Sequence, residues 1–138
     1  MKRAARAVIA LVAGGIVLSA GTVQAQDPVT VGPDIYTVKF ENDRVRVSEI
    51  RFKPGDSIPM HEHPDHFVYV LSGGTLTLSY PDGRTTDFTG EPGQIVWIPA
   101  ESHAATNPGT TEFRALVVEL KPLPAYSDAE DSESLEGF

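Results

Sequence analysis

The chain has 138 residues, with 11 basic against 19 acidic side chains, a formal charge of −8 and no cysteine. That acidic balance argues against nucleic acid and anionic membrane, which bind through clustered Lys and Arg. Lack of cysteine excludes disulfides, thiolate metal ligands and a cysteine nucleophile together, so any metal must be held by His, carboxylate, amide or water.

At the amino terminus, Lys2, Arg3 and Arg6 precede an apolar stretch from Val8 to Leu18, followed by small and polar residues ending Thr22-Val23-Gln24-Ala25-Gln26. A positive start, an apolar core of about 7–15 residues and a small-residue cleavage site make a secretory signal peptide. Val23 and Ala25 fit the cleavage site, so residues 1–25 are expected to be removed. An uncleaved membrane anchor is the alternative, but a span needs roughly 20 apolar residues, and Gly14 and Gly15 interrupt this shorter one. The mature protein is therefore expected to be exported, periplasmic or secreted, and free of the membrane after cleavage. Loss of the three basic residues takes the charge from −8 to −11 for Gln26–Phe138. The remaining roughly 113 residues are enough for one domain with its own core.

Residues 26–34, with Pro28, Gly32 and Pro33, read as an extended lead-in. Over 35–121, short β-type runs recur between turn signals: Ile35 to Phe40, Val45 to Phe52, Phe67 to Leu71 and Thr75 to Tyr80, then Thr85 to Phe88, Ile95 to Ile98, His103 to Thr106 and Phe113 to Leu120. Thr75 to Tyr80 alternates strictly, placing Leu76, Leu78 and Tyr80 on one face. Pro81-Asp82-Gly83 has the chemistry of a tight hairpin turn, because proline presets φ and Asp-Gly tolerates the left-handed region. No window after Ala25 carries a helical apolar period with good helix formers between. Many short strands separated by Gly/Pro turns predict an all-β sandwich or barrel. Residues 122–138 change character, with Asp128, Glu130, Asp131, Glu133 and Glu136 dominating; so much charge with so little apolar content reads as a solvated, disordered tail.

Three of the four histidines, His61, His63 and His66, fall within six residues. On an extended chain His61 and His63 leave the same face and can share one cation, although His-x-His alone is a weak pattern and a third ligand is required. His66 is at an odd offset, which in a regular strand would turn it away. Pro64-Asp65 intervenes, however, and proline resets the parity, so that His66, Val68 and Val70 would share the inward face. His103 starts a later strand that an antiparallel barrel can bring to the same point. On these residues alone two readings stand: a metal site, or exposed loop histidines flanked by acids.

The residues resemble the cupin superfamily. Its first motif runs Gly, five residues, His-any-His, three or four residues, Glu, six residues, Gly; here the stretch is Gly55 to His61-Glu62-His63, then His66, then Gly73. Its second runs Gly, five residues, Pro, any, Gly, two residues, His, three residues, Asn; here it is Gly93 to Pro99, Glu101, His103 and Asn107. The resemblance implies a single jelly-roll β-barrel with a divalent metal at its mouth. His61, His63 and His103 map onto metal ligands, and Asn107 and the glycines onto framework. Two departures stand out: His66 replaces the motif glutamate with a spacer one residue short, and Glu101 replaces a glycine. The implied metal site is four-histidine, His61, His63, His66 and His103. Such a neutral set favours Fe, Cu, Ni or Zn over Mn or Mg. Glu62, Asp65 and Glu101 are candidates for outer charge, with Glu62 expected to face water. Trp97 or Tyr69 is expected at the mouth.

Family membership does not decide activity. One reading is a metal-dependent dioxygenase-type oxidoreductase acting on a small molecule, with catalysis performed by the metal or a bound water, since no independent acid–base pair or nucleophile is visible. The second is a non-catalytic metal- or ligand-binding accessory protein, and the third a metal-free hydrogen-bonded histidine cluster. By resemblance a homodimer is expected.

Overall fold

A computed structural model describes residues 26–123. The signal peptide read at 1–25 lies outside the described residues, as does all of the acidic tail beyond Leu123. Among the described residues, one helical turn, α1 (Pro28–Val31), precedes nine strands: β1 (Tyr36–Glu41), β2 (Val45–Phe52), β3 (Ser57–His63), β4 (His66–Ser72), β5 (Gly74–Ser79), β6 (Thr85–Gly90), β7 (Ile95–Ile98), β8 (Glu101–Thr106) and β9 (Phe113–Leu120). The strands pair antiparallel in two sheets, ordered β1-β2-β9-β4-β7 and β3-β8-β5-β6. This is the expected all-β jelly roll, two sheets facing each other across one core. No described helix is long and apolar enough to cross a membrane.

Alternation places the core. From the five-stranded sheet Ile50, Phe52, Val70, Phe113 and Ala115 point inward; from the four-stranded sheet Ile58, Leu76, Leu78 and Ala105 meet them. Phe52 lies directly opposite Phe113 in the β2–β9 register, and Phe88 packs edge-on against Phe113 with ring centroids 6.0 Å apart. Burying each such ring stabilises the fold by about 1.5–3 kcal/mol. The turn at Pro81-Asp82-Gly83 forms as its residues require: Gly83 N–H donates to Tyr80 O at 3.0 Å, and Gly83 adopts φ +85°.

Two elements depart from the pattern reading. Residues 28–31 form a helical turn where an extended lead-in was expected. Asp27-Pro28 is a helix-start signal: Asp27 Oδ1 accepts from Val29 N at 2.9 Å and Thr30 N at 3.3 Å, and Pro28 occupies the first turn. Ser57–His63 is a full strand, although Pro59 within it disguises the alternation. β3 carries an extra residue against β8, with Ile58 opposite Ala105 and His61 opposite His103. Proline has no N–H for the ladder, and a bulge accommodates it. The bulge lets Ile58 and His61, three apart, both point inward.

Asn107 is framework in a concrete sense. Its buried side chain donates to Phe52 O at 2.8 Å and Thr111 O at 2.9 Å, and accepts from Gly109 N at 2.9 Å. These bonds tie the end of β2 to the β8–β9 loop. Asn107→Ala would leave buried partners unsatisfied at about 1–3 kcal/mol each, so a loss of about 2–4 kcal/mol is expected in urea unfolding. A loss below about 1 kcal/mol would show that the loop is held by other means.

Candidate metal centre

β3 and β4 belong to different sheets, so Pro64-Asp65 is where the chain crosses between them. Asp65 clamps the crossing: Oδ1 accepts from Ala100 N at 2.8 Å, and its carbonyl accepts from Leu120 N at 2.9 Å. Parity resets there, and both His63 and His66 point inward. All four histidines are buried, with His61 at 0 % exposure.

One ring nitrogen each from His61, His63 and His103 lies within 4.8 Å of the others. His61 and His103 are direct partners across β3 and β8, and their ring centroids are 4.6 Å apart. His66 stands beside this trio, its ring centroid 4.6 Å from that of His63, but its nitrogens are outside the mutual 4.8 Å set.

Each Nδ1 is tied back. His61 Nδ1–H donates to Pro59 O and His66 Nδ1–H to Pro64 O, both at 2.8 Å. His63 Nδ1 contacts Glu119 Oε1 at 2.7 Å and His103 Nδ1 contacts Glu101 Oε1 at 2.8 Å. A carbonyl or carboxylate only accepts, so each imidazole carries its proton on Nδ1 and offers the Nε2 lone pair. This is how ligating histidines are held: the far nitrogen donates to a carboxylate or carbonyl, fixing tautomer and ring orientation. His61 Nε2 is buried and has no hydrogen-bond partner. A buried, unpartnered acceptor facing other imidazoles fits a bound cation.

The charges behind the trio follow expectation in part. Glu101 reaches His103 and Glu62 is exposed, both as expected, whereas Asp65 serves the strand crossing. The buried acid is Glu119, on β9, which pattern reading missed. Its signal was present: Phe113, Ala115, Val117 and Glu119 share the inward face, as do Ser48, Ile50 and Phe52 with Arg46 on β2. Arg46 and Glu119 are register partners, joined Nε to Oε2 at 2.6 Å, and Arg46 Nη1 reaches Asp27 Oδ2 at 2.6 Å. Burial would raise the Glu119 carboxyl, but the His63 N–H and the Arg46 guanidinium outweigh it and hold the group below the usual carboxylate range.

The cluster caps a cavity of ≈ 40 Å³ inside the barrel, room for about three waters at roughly 10–15 Å³ each. Tyr36, His63, His66 and His103 line one end; Val68, Leu76, Leu78, Phe88 and Phe113 are among the apolar walls. The Tyr36 hydroxyl donates to His63 Nε2 at 3.4 Å, and burial, with Glu119 nearby, raises its pKa so that it keeps its proton. Trp97 and Tyr69 are absent from this lining. They are 53 % and 37 % exposed on the outside of the five-stranded sheet, because β4 and β7 turn Val68 and Ile98 inward instead.

Burial brings His61 down to about 4, opposed by the Pro59 carbonyl and aided by His103 and His63. Burial and neighbouring imidazoles lower His66 and His103 as well. Below the unfolded value of 6.5 the unfolded chain binds more protons than the folded one, so stability falls as pH drops. The chelated protein is therefore expected to lose thermal stability from pH 6.5 to 5, above the range where Glu119 and Glu49 titrate, both being lowered. A melting temperature flat across that window would show that the imidazoles are not held neutral.

Comparison with known proteins fits this geometry. A sequence model described as "Cupin_2: Cupin domain" matches residues 48–119. A cupin domain from Bordetella pertussis Tohama I is 31% identical over 72% of this chain and 98% of its own, with a TM-score of 0.60. The polyketide cyclase RemF from Streptomyces resistomycificus is 31% identical over 64% of this chain and 66% of its own, with a TM-score of 0.50. An uncharacterized conserved protein with a double-stranded β-helix domain from Klebsiella pneumoniae is 27% identical over 64% and 76%, at 0.52. A search of curated proteins found no match. With the histidines of the two motifs brought together on paired strands β3 and β8 of a two-sheet barrel, and the family match running from β2 to β9, the chain belongs to the cupin family.

Proposed function

We propose that this protein is an exported metal-dependent cupin that carries out dioxygenase-type oxidation of a small apolar molecule. Its ligands are His61, His63, His66 and His103, and its metal is one divalent Fe, Cu, Ni or Zn ion. The observation that carries this reading is that His63, His66 and His103 share one cavity with the apolar barrel interior, with His61 packed against His63 and His103. Export rests on the segment at 1–25.

The all-nitrogen donor set suits borderline transition metals. When bound, the metal supplies Lewis-acid or redox chemistry at positions that the protein leaves open. The chain's own residues do the rest. Val68, Leu76, Leu78, Phe88 and Phe113 exclude water and receive an apolar group. Tyr36 keeps its proton at the cavity end and can present it to a bound molecule. His66 enters the set by its burial, its free Nε2 and its place in the motif where the family has a carboxylate. The small cavity favours one second reading, a non-catalytic binder that admits only a few atoms. Likeness to a polyketide cyclase adds non-oxidative ring closure as alternative chemistry in the same chamber.

Elemental analysis after loading with Fe(II), Zn(II), Cu(II) and Ni(II) should find about one equivalent of one of these metals, released as pH falls into the lowered range where the buried histidines protonate, about 4 for His61. His61→Ala and His103→Ala should each abolish binding, and His66→Ala should weaken it by at least tenfold. A His66→Ala protein of full affinity removes that residue from the ligand set; less than a tenth of an equivalent in the wild type ends the metal reading. Oxygen uptake by the Fe-loaded protein then separates oxidation from ring closure or simple binding.

A homodimer is also proposed, seated on the outer face of the five-stranded sheet. Antiparallel sheets ordinarily show polar residues to water on their free face. Here Phe40, Val47, Val118, Phe67 and Trp97 form a continuous cross-strand row, and Leu116, Tyr69 and Ile95 form a second beside it. Lys39 and Arg114 pair with Glu49, and Arg51 with Glu112, so a second copy meets few unpaired like charges at the margin. A face of about 24 by about 27 Å is on the order of the ~800 Å² per partner of a stable complex. Light scattering should report a dimer for the wild type and a folded monomer for Phe67→Asp/Trp97→Asp; a monomeric wild type at tens of micromolar would leave the face without this occupant.

A further inference from the structure

His66 stands where the family motif has its acid, so the candidate donor set carries no charge to offset a dication. Dications bound by neutral ligands in a buried site need an anion nearby. Two carboxylates stand behind the histidines: part-exposed Glu101 at His103 and Glu119 at His63, the fully buried one at 3 % exposure, with its two oxygens divided. Oε1 meets His63 Nδ1 at 2.7 Å, and Oε2 meets Arg46 Nε at 2.6 Å. Arg46 is shared with a second acid, Asp27, whose Oδ2 accepts from Arg46 Nη1 at 2.6 Å while Oδ1 caps α1. The same segment is pinned to the ligand strand, since Glu62 N–H donates to Gln26 O at 3.0 Å and Gln26 bridges to His61.

A purely structural ion pair is the rival account. Buried Arg–Glu pairs are weak sources of stability, and apolar residues of similar volume often serve as well. That account explains one oxygen of Glu119 and leaves the other, aimed at the back of a ligand imidazole, without a purpose. We propose that Glu119 is a positioning residue that supplies from behind His63 the negative charge a ligating carboxylate would otherwise give, and that the Arg46–Asp27 pair sets how much of that charge the metal feels. The role rests on metal binding at the histidine cluster. It makes the amino-terminal turn part of the site: Asp27 offsets part of the Arg46 charge through the second face of the guanidinium, so whatever loosens residues 26–27 leaves more of that positive charge acting on Glu119.

Competition titrations of Zn(II) and Ni(II) against a chromophoric chelator at pH 8 test this on the purified protein and three variants. Glu119→Gln keeps an acceptor for the His63 N–H and removes the charge; affinity should fall about 10–100-fold, the range typical of lost outer partners of metal-bound histidine. Asp27→Asn, at the half-exposed end and still able to cap α1 through its side-chain oxygen, should weaken binding about two- to fivefold, as a single exposed pair allows. Arg46→Gln leaves Glu119 less neutralised and should tighten binding, a change of opposite sign that lost packing does not produce. Tight wild-type binding with Glu119→Gln unchanged, or with Arg46→Gln as weak as Glu119→Gln, overturns the charge role and leaves the metal site standing. A wild type that binds neither metal, although folded, sinks the site and this role together.

Discussion

Burial of four neutral imidazoles, each held by its Nδ1 proton, is the constraint around which the rest of this barrel is arranged. Once every Nδ1–H is engaged by a carbonyl or carboxylate, the Nε2 lone pairs are turned toward one another, with that of His63 also accepting from the Tyr36 hydroxyl and that of His61 without a partner. Acceptors facing acceptors need a proton or a cation between them. Burial disfavours the proton, as the lowered His61, His66 and His103 values show. A metal ion resolves the conflict without taking the imidazoles out of their neutral form.

The two sheets divide the work. The four-stranded sheet carries His61, His63 and His103 on neighbouring strands β3 and β8, so their spacing is set by one ladder and its bulge. From the five-stranded sheet come His66, Tyr36, Arg46 and Glu119, which stand against the trio from the other side. The site therefore exists only when the sheets close on each other, and the same closure builds the apolar chamber. Closing the sheets therefore also assembles the candidate metal ligands, and the core around Phe52 and Phe113 is what holds the charges of the site out of water.

Much of this was legible in the chain. Short alternating runs and Gly/Pro turns led to the all-β barrel, and the two motif spacings led to the family and to three of the clustered histidines. The inward placement of His66 also followed from the parity break at Pro64-Asp65. Pro59 hid β3, because a bulge breaks the period-2 pattern that marks a strand. Neither Trp97 nor Tyr69 stands at the mouth, because alternation along β7 and β4 turns both to the outer face. Glu119 and Arg46 were overlooked because a charge in a strand ordinarily faces water, so the parity that pointed them inward went unread.

The sequence by itself determined the kind of protein and the identity of the nitrogen donors, since periodicity and motif spacing are local properties that survive without knowing which strands pair. Tertiary structure alone decided which acids stand behind which histidines. Glu119 lies 56 residues from His63 and 73 from Arg46, and such distances carry no local signal. Register across β2 and β9 pairs Arg46 with Glu119, and the packing of the two sheets sets His63, on β3, against them.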